Sequence, residues 1–105
     1  AYCTSKAGLL GLGRCVSLEG AAHGITCVSI SPTWVETEML KQFIDADIAA
    51  TGKPLQQVRA EYAASNPQKQ LVQPEEIAEL AAFLVSDAAR ALTMEDYQVN
   101  AGSLW

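Results

Sequence analysis

Tyr2 and Lys6 are the two residues of this chain whose types and spacing best suit acid–base chemistry. In a helix, residues four apart lie on one face, so the phenol and the ammonium would be neighbours. A phenol in water titrates near about 10, which is too high for easy proton release at neutral pH. A neighbouring ammonium favours the phenolate form and so makes a tyrosine more useful as an acid or a base. The spacing therefore predicts a proton-transfer pair at the start of the chain.

The composition predicts a single domain that binds neither nucleic acid nor membranes. The chain has 105 residues, of which half are hydrophobic, and a net charge of −5. A protein that binds a phosphate backbone needs a basic face, and this charge argues against one. No apolar run approaches the roughly 20 residues of a membrane-spanning helix. We therefore expect one cytoplasmic domain over residues 1–105.

The cysteines and the histidine offer no metal site. Cys3, Cys15 and Cys27 are odd in number and form no C-x-x-C pair, and His23 is the single histidine. This spacing does not match that of zinc ligands. We expect three reduced and mostly buried thiols, with no bound metal.

Hydrophobic periodicity predicts the element order helix, strand, helices, strand. The first helix covers residues 3–22, with His23-Gly24 as its stop signal, and Ile25–Ile30 is β-prone without polar alternation. The remaining predictions are helices over 38–50, 55–64 and 74–86 and a strand over 96–99, followed by a loop over 100–105. Two strands joined through helices indicate an α/β fold with a parallel crossover.

Glycines recur in the first helix, at Gly8, Gly11 and Gly13. They follow no strand, and their spacing differs from the G-x-G-x-x-G of a phosphate-binding loop. Each glycine inside a helix costs about 1 kcal/mol relative to alanine. We therefore expect a compensating close contact with another helix or subunit.

Four segments, taken in order, resemble the C-terminal portion of the short-chain dehydrogenase/reductase family. A tyrosine and a lysine at this spacing occur by chance in many helices, whereas four matches spread along the chain are specific. The matching segments are residues 2–9, 24–32, 35–39 and 74–87. The resemblance implies the C-terminal part of a Rossmann-like, doubly wound parallel sheet, present here as one partial domain.

The resemblance also implies catalytic roles for Tyr2 and Lys6. Tyr2 would be the general acid that protonates a carbonyl oxygen, or the base for the reverse oxidation. Lys6 would favour the phenolate and hydrogen-bond the nicotinamide ribose. The substrate would be a small alcohol or ketone.

The loop after the second element would hold the nicotinamide end of NAD or NADP. The resemblance places Pro32 and Thr33 around the nicotinamide, the backbone of Val35 at its carboxamide, and the hydroxyl of Thr37 at a phosphate. Ligands of open α/β sheets bind at the carboxyl ends of the strands, which agrees with this position. The alternative is an ordinary connection in which Thr37 caps the next helix.

The helices after this loop resemble the variable substrate-covering segment of the family. An acyl or ketone pocket lined by Trp34, Met39, Leu40 and Phe43 and ordinary core packing are equally consistent with the pattern. The lengthened segment 38–73 resembles the 3-hydroxybutyrate dehydrogenase branch, with the 3-oxoacyl carrier-protein reductases as the second substrate class.

Three positions depart from the family's pattern. Thr33 and Met94 stand where glycine is usual, and Asn100-Ala101 stands where Asp-Gly is common. A β-branched residue does not easily adopt positive φ, so the loop at Thr33 is expected to differ in shape.

The family's glycine-rich pyrophosphate loop, its NAD-or-NADP selecting residue and its catalytic serine and asparagine all precede the tyrosine. We therefore expect these 105 residues alone to have no dehydrogenase turnover. The alternative function is a non-catalytic assembly module. Both readings predict a homo-oligomer formed through the first helix.

Overall fold

The computed structural model describes residues 1–103, which form two units. The first unit contains Ala1–Ser31 and Glu79–Gln98, and the second contains Pro32–Ala78 and the chain from Val99 onward. Leu104 and Trp105, the end of the loop predicted over 100–105, lie outside the described residues.

Four helices and two short strands follow one another in the predicted order. The helices are α1 (Tyr2–Gly20), α2 (Glu38–Thr51), α3 (Leu55–Ser65) and α4 (Pro74–Leu84). The strands are β1 (Ser29–Pro32) and β2 (Asp96–Val99), and single 3-10 turns cover Ala21–His23 and Asp87–Ala89. The predicted α/β class is confirmed.

The two strands pair with each other in parallel. The amide of Ser29 donates to the carbonyl of Glu95 at 2.9 Å, and four residues later Thr33 donates to Val99 at 3.3 Å. Equal offsets on both strands are the mark of a parallel ladder.

The predicted bounds of the first strand, Ile25–Ile30, are wrong, because regular pairing begins only at Ser29. Just before the strand, side-chain hydroxyls form hydrogen bonds with the backbone. The amide of Cys27 donates to the hydroxyl of Thr93 at 3.0 Å, and the hydroxyl of Ser17 donates to the carbonyl of Cys27 at 3.0 Å. A bond from Thr93 to Ser17, also 3.0 Å, closes the triangle.

The glycines of α1 are not equivalent. A Cβ atom at Gly20 would lie 2.8 Å from the Cβ of Ile25, so only glycine permits this approach. Gly13 faces the side chains of Cys27 and Ser29 at ordinary contact distance. No described atom lies within 4 Å of a Cβ added at Gly8 or Gly11. Gly20 thus makes a close contact with the chain just beyond the helix, whereas the contact predicted for Gly8, Gly11 and Gly13 with another helix or subunit stays a prediction.

The cysteines differ from expectation in their burial. Cys3 and Cys15 are exposed, and Cys27 is half-buried. Cys3 and Cys15 lie on α1, where Leu9, Leu12 and Leu18 are also each more than half exposed.

The core of the second unit forms where α2 packs on α3. Its buried members are Leu40, Ile44, Val58 and Leu71. Burying an aliphatic side chain of this size contributes about 1.5–3 kcal/mol relative to leaving it in water. The interpretation of Leu40 as a core residue is therefore confirmed.

Two of the three departures from the family pattern sit in the left-handed backbone region. Met94 has φ 67° and Ala101 has φ 48°, conformations that favour glycine. Thr33 is not among the described residues with positive φ, so the loop passes this position in a conformation open to β-branched residues. The family's glycines at 94 and 101 thus have a backbone reason that holds in this chain.

Candidate functional site

Tyr2 and Lys6 lie at the start of α1, in the first unit. The Nζ atom of Lys6 is 5.6 Å from the centroid of the Tyr2 ring, a cation–π distance. The Tyr2 side chain is open, with 73% of the residue exposed. The helix holds both residues, because Ser5 bonds back to the carbonyls of Ala1 (3.0 Å) and Tyr2 (2.8 Å). The predicted pairing of phenol and ammonium on one face is present.

The backbone of the loop of residues 32–37, in the second unit, is hydrogen-bonded to Val72. The amide of Val72 donates to the carbonyl of Trp34 at 3.0 Å, and the amide of Glu36 donates to the carbonyl of Val72 at 2.9 Å. This is a parallel bridge between Val35 and Val72, and such a bridge uses the backbone groups of the neighbours of Val35. The N–H of Val35 itself therefore points away from Val72, and this N–H is a donor that suits a carboxamide oxygen.

Thr37 ends the loop as the N-cap of α2. Its hydroxyl accepts from the amide of Leu40 at 3.4 Å and donates to the carbonyl of Val35 at 3.3 Å. Thr37 thus caps the next helix, which is the alternative predicted for this position. Because Thr37 is exposed and its hydroxyl has one proton, a further acceptor would bind there only by taking that proton from the Val35 carbonyl.

The four residues of this loop that were predicted to bind the cofactor differ in their exposure to solvent. Pro32 and Thr37 are exposed, Val35 is half-buried, and the half-buried Thr33 donates its hydroxyl to the side chain of Asn66 at 3.0 Å. The hydroxyl of Thr33 is therefore already hydrogen-bonded within the protein.

An aromatic cluster occupies the predicted substrate side of the second unit. Trp34 meets Phe43 at 5.9 Å between ring centroids and Tyr62 at 4.9 Å, both edge-on. Met39 and Phe43 are both open to solvent. The structure thus brings Trp34 and Phe43 together and adds Tyr62, which the sequence did not single out.

The carboxylate of Glu36, in the same loop, accepts three hydrogen bonds. The Arg59 guanidinium donates to it at 3.0 Å through Nε and again through a second nitrogen, and the Gln73 amide donates at 2.9 Å. The bonds from Arg59 and then Gln73 hold the pKa of the Glu36 carboxyl below its usual range.

A groove of about 460 Å³ lies elsewhere in the second unit. None of the predicted site residues lines it. Its lining residues are Arg59, Ala63, Lys69, Gln70, Leu71, Gln73 and Glu76. Within residues 1–103, no group of three or more His, Cys, Asp or Glu side chains is placed to hold a metal.

Sequence reasoning missed Asn66, Tyr62 and Arg59. Each acts through a partner 15 to 33 residues away, and such bonds leave no periodic trace in the sequence. A weak signal existed for Asn66, since Asn-Pro marks a turn.

The parallel strand pair and the helix that carries Tyr2 and Lys6 agree with the fold of the short-chain dehydrogenase/reductase family. The model of the family described as enoyl-(acyl carrier protein) reductase matches residues 1–103. The chain therefore belongs to the short-chain dehydrogenase/reductase family, as its C-terminal portion.

Particular relatives can be named among curated proteins. The chain is 33% identical over 103 residues to D-beta-hydroxybutyrate dehydrogenase of Cupriavidus necator, covering 97% of this chain and 40% of that protein. It is 35% identical over 101 residues to 3-oxoacyl-[acyl-carrier-protein] reductase of Escherichia coli, covering 96% and 37%. The chain thus spans about 40% of the length of the curated relatives that it matches.

Solved structures agree on the fold. A short-chain dehydrogenase family protein from Francisella tularensis superposes with a TM-score of 0.91 at 25% identity, over 96% of this chain and 42% of that one. An actinorhodin polyketide ketoreductase with NADPH superposes with a TM-score of 0.85 at 32% identity, over 96% and 39%. Within residues 1–103, no helix is both long and apolar enough to cross a membrane.

Proposed function

We propose that this chain supplies the proton-transfer pair and the nicotinamide-side loop of an NAD(P)-dependent alcohol/ketone oxidoreductase. The observation that carries the proposal is the Lys6 ammonium lying over the Tyr2 ring at the start of α1. By the resemblance described above, the helix that carries this pair would be the family's active-site helix, and the chain matches the family over residues 1–103.

The nicotinamide cofactor supplies the hydride when it is bound. Tyr2 gives its phenolic proton to the carbonyl oxygen as that oxygen gains negative charge, so the ketone becomes an alcohol. Lys6 stabilises the phenolate that remains, since opposite charges at short range favour each other. In the oxidation direction the Tyr2 phenolate accepts the hydroxyl proton.

The second unit contributes residues that fit a nicotinamide. The N–H of Val35, which points away from Val72, would donate to the carboxamide, and Pro32 would offer an apolar surface. The hydroxyl of Thr37 would turn its proton from the Val35 carbonyl to a phosphate. Solved relatives carry NADPH in this fold, as the ketoreductase above does.

The substrate class that we propose is a 3-hydroxy acid and its 3-oxo counterpart, free or as an acyl group. It rests on the names of two relatives, a hydroxybutyrate dehydrogenase and a 3-oxoacyl reductase. The aromatic rings of Trp34 and Phe43, with the thioether of Met39, would form an apolar wall for the carbon chain. We place the activity in the cytoplasm.

The isolated 105 residues are not expected to turn over. The run Gly8-x-x-Gly11-x-Gly13 lies inside α1, so it is not the strand-to-helix turn that cradles a pyrophosphate. No other glycine-rich turn of that kind occurs within residues 1–103. Binding a whole dinucleotide therefore needs more chain than this.

A chimaera tests the proposal. The chain is joined to the part of the C. necator dehydrogenase that precedes the matched region, and NAD-dependent oxidation of 3-hydroxybutyrate is measured. We expect turnover from the chimaera and none from the 105 residues alone. Tyr2→Phe and Lys6→Met should each lower kcat by about 10²–10⁴-fold, the range of general acid–base catalysis.

Tyr97→Phe and Lys53→Met serve as matched controls, because they remove a phenol and an ammonium outside the pair. Full activity in Tyr2→Phe, in a chimaera that turns over, would contradict the proposal. Robust NAD(P)-dependent turnover by the 105 residues alone would contradict the expected inactivity.

A second candidate function, a non-catalytic assembly module, is favoured by the outer face of α1. Leu9, Leu12 and Val16 are exposed there, and no described atom approaches Gly8 or Gly11. A second copy of α1 would cover this face and could approach closely at the glycines. Leu12→Glu should then convert an oligomer into a monomer in size-exclusion chromatography, and a monomeric parent chain would contradict this function.

A further inference from the structure

Asn66 is a buried polar side chain with a partner on every side. It follows α3 and is 1% exposed. Its amide nitrogen donates to the carbonyl of Gln70 at 2.7 Å. Its amide oxygen accepts from the hydroxyls of Thr33 at 3.0 Å and Ser103 at 2.7 Å. A buried amide with these partners is costly to disturb, because each lost bond leaves a polar atom without water.

The turn that carries Asn66 is itself held in place. The carbonyl of Asn66 accepts from the amide of Lys69 at 2.8 Å, and Lys69 takes the left-handed conformation with φ 57°. The amide of Gln68 donates to the carbonyl of Ala101 at 3.1 Å. Asn66 therefore presents its amide oxygen from a fixed support.

Thr33 receives that support at the start of the loop 32–37. Its amide bonds to Val99 and its hydroxyl to Asn66, while the next residues bridge to Val72. The position is one where related proteins usually have glycine, which has no side chain with which to make such a bond. In this chain a hydroxyl fixes the loop at the point where a glycine would leave it free.

We propose that Asn66 is a positioning residue that sets the conformation of the loop 32–37 through the hydroxyl of Thr33. Thr33 holds the loop through its side chain, and the N–H of Val35, which points away from Val72, is the group that a ligand would meet. The inference rests on the proposed function only in assigning that ligand as a nicotinamide. Asn66 is buried, so it would act on a ligand only through Thr33.

Trp34 lies next to Thr33 and provides the readout. The chain has two tryptophans, Trp34 and Trp105, so Trp105→Phe leaves Trp34 as the only indole emitter. In that background Thr33→Val removes the hydroxyl at nearly constant volume. Ser103 still donates to Asn66 in this variant, so no buried acceptor is orphaned and we expect it to fold.

We expect Thr33→Val to shift the Trp34 emission to the red and to increase its quenching by acrylamide. Thr33→Ser, which restores a hydroxyl, should return both to the parent values. Ser65→Ala is the matched control, because the exposed Ser65 hydroxyl bonds to the carbonyl of Tyr62 and not to Asn66. It should leave the emission unchanged.

Asn66→Asp provides a second, independent variant. The carboxylate replaces the donor to Gln70 with an oxygen that repels that carbonyl, while the size of the side chain is kept. Its Trp34 emission should also shift to the red, with the helical circular dichroism retained. Parent-like emission in both Thr33→Val and Asn66→Asp would overturn the inference, as would Thr33→Ser behaving like Thr33→Val.

This emission needs no cofactor and no turnover. An inactive chimaera would therefore count against the proposed function alone, and an unchanged Trp34 spectrum would count against the role of Asn66 alone.

Discussion

The ring of Tyr62 meets the indole of Trp34 edge-on, with centroids 4.9 Å apart and planes 89° apart. The hydroxyl of the same tyrosine donates to the carboxylate of Asp47 on α2 at 2.8 Å. One side chain of α3 thus links the loop to the neighbouring helix. This link fixes one wall of the proposed substrate side.

Removing the Tyr62 hydroxyl should weaken this link without removing the ring. Tyr62→Phe should lower the free energy of unfolding by about 0.5–1.5 kcal/mol, the usual net value of one hydrogen bond. Urea unfolding measures it, with Tyr97→Phe as the matched loss of a phenol. The bond to Asp47 raises the pKa of Tyr62, so its contribution is present at neutral pH and is lost as the pH rises through that raised pKa. Equal stability of Tyr62→Phe and parent at pH 7 would contradict the prediction.

Glu36 should make the free energy of unfolding depend on pH in the acidic range. Its folded-state pKa is lowered, so the stabilisation is fully present above the ordinary pKa of glutamate and is lost as the pH falls through the lowered value. Glu36→Gln should cost about 0.2–1 kcal/mol at pH 7, as expected for a largely exposed ion pair, and the cost should shrink toward pH 3. Unfolding at both pH values measures it, with the exposed Glu79→Gln as the control. A cost that does not change with pH would argue against the pairing with Arg59.

Leu40 should be among the most sensitive positions of the second unit. It is 3% exposed and packs with Ile44 and Val58. Leu40→Ala should cost about 2–5 kcal/mol, since it leaves a cavity in the core. Leu55→Ala removes the same atoms from a residue that is more than half exposed and should cost far less. Similar costs at the two positions would refute the proposed core.

Met94→Gly should stabilise the chain. A left-handed conformation costs a residue with a side chain about 1–2 kcal/mol, and glycine gives back about 0.5–1 kcal/mol of that gain through its greater freedom in the unfolded state. A net gain of up to about 1 kcal/mol is therefore expected, measured as a higher melting temperature. Ala46→Gly, at an exposed position in the middle of α2, serves as the opposite control and should destabilise by about 1 kcal/mol. A loss of stability in Met94→Gly would contradict the backbone explanation of this position.

The sequence predicted the elements well where periodicity or clear end signals were present. α2, α3 and α4 lie within two residues of their predicted bounds, and β2 agrees at both ends. Apolar residues on one side of a helix and glycines such as Gly24 and Gly52 at the helix ends carry this information locally.

The parts that could not be predicted depend on partners far away in the chain. The first strand starts late because Thr93 and Ser17 occupy the backbone of Cys27. The hold on Thr33 comes from Asn66, 33 residues later, and only the fold brings these two together. The local pattern could not separate the core role of Leu40 from the exposed position of Phe43 either.

The bond between Thr93 and Ser17 spans 76 residues, and it sets an order of events during synthesis. The first unit needs both Ala1–Ser31 and Glu79–Gln98, whereas α2 and α3 are neighbours in the chain and can pair early. At about 5–20 residues per second, the 76 residues from Ser17 to Thr93 take roughly 4–15 s to be synthesised. Until then the amide of Cys27 lacks the partner that the Thr93 hydroxyl supplies.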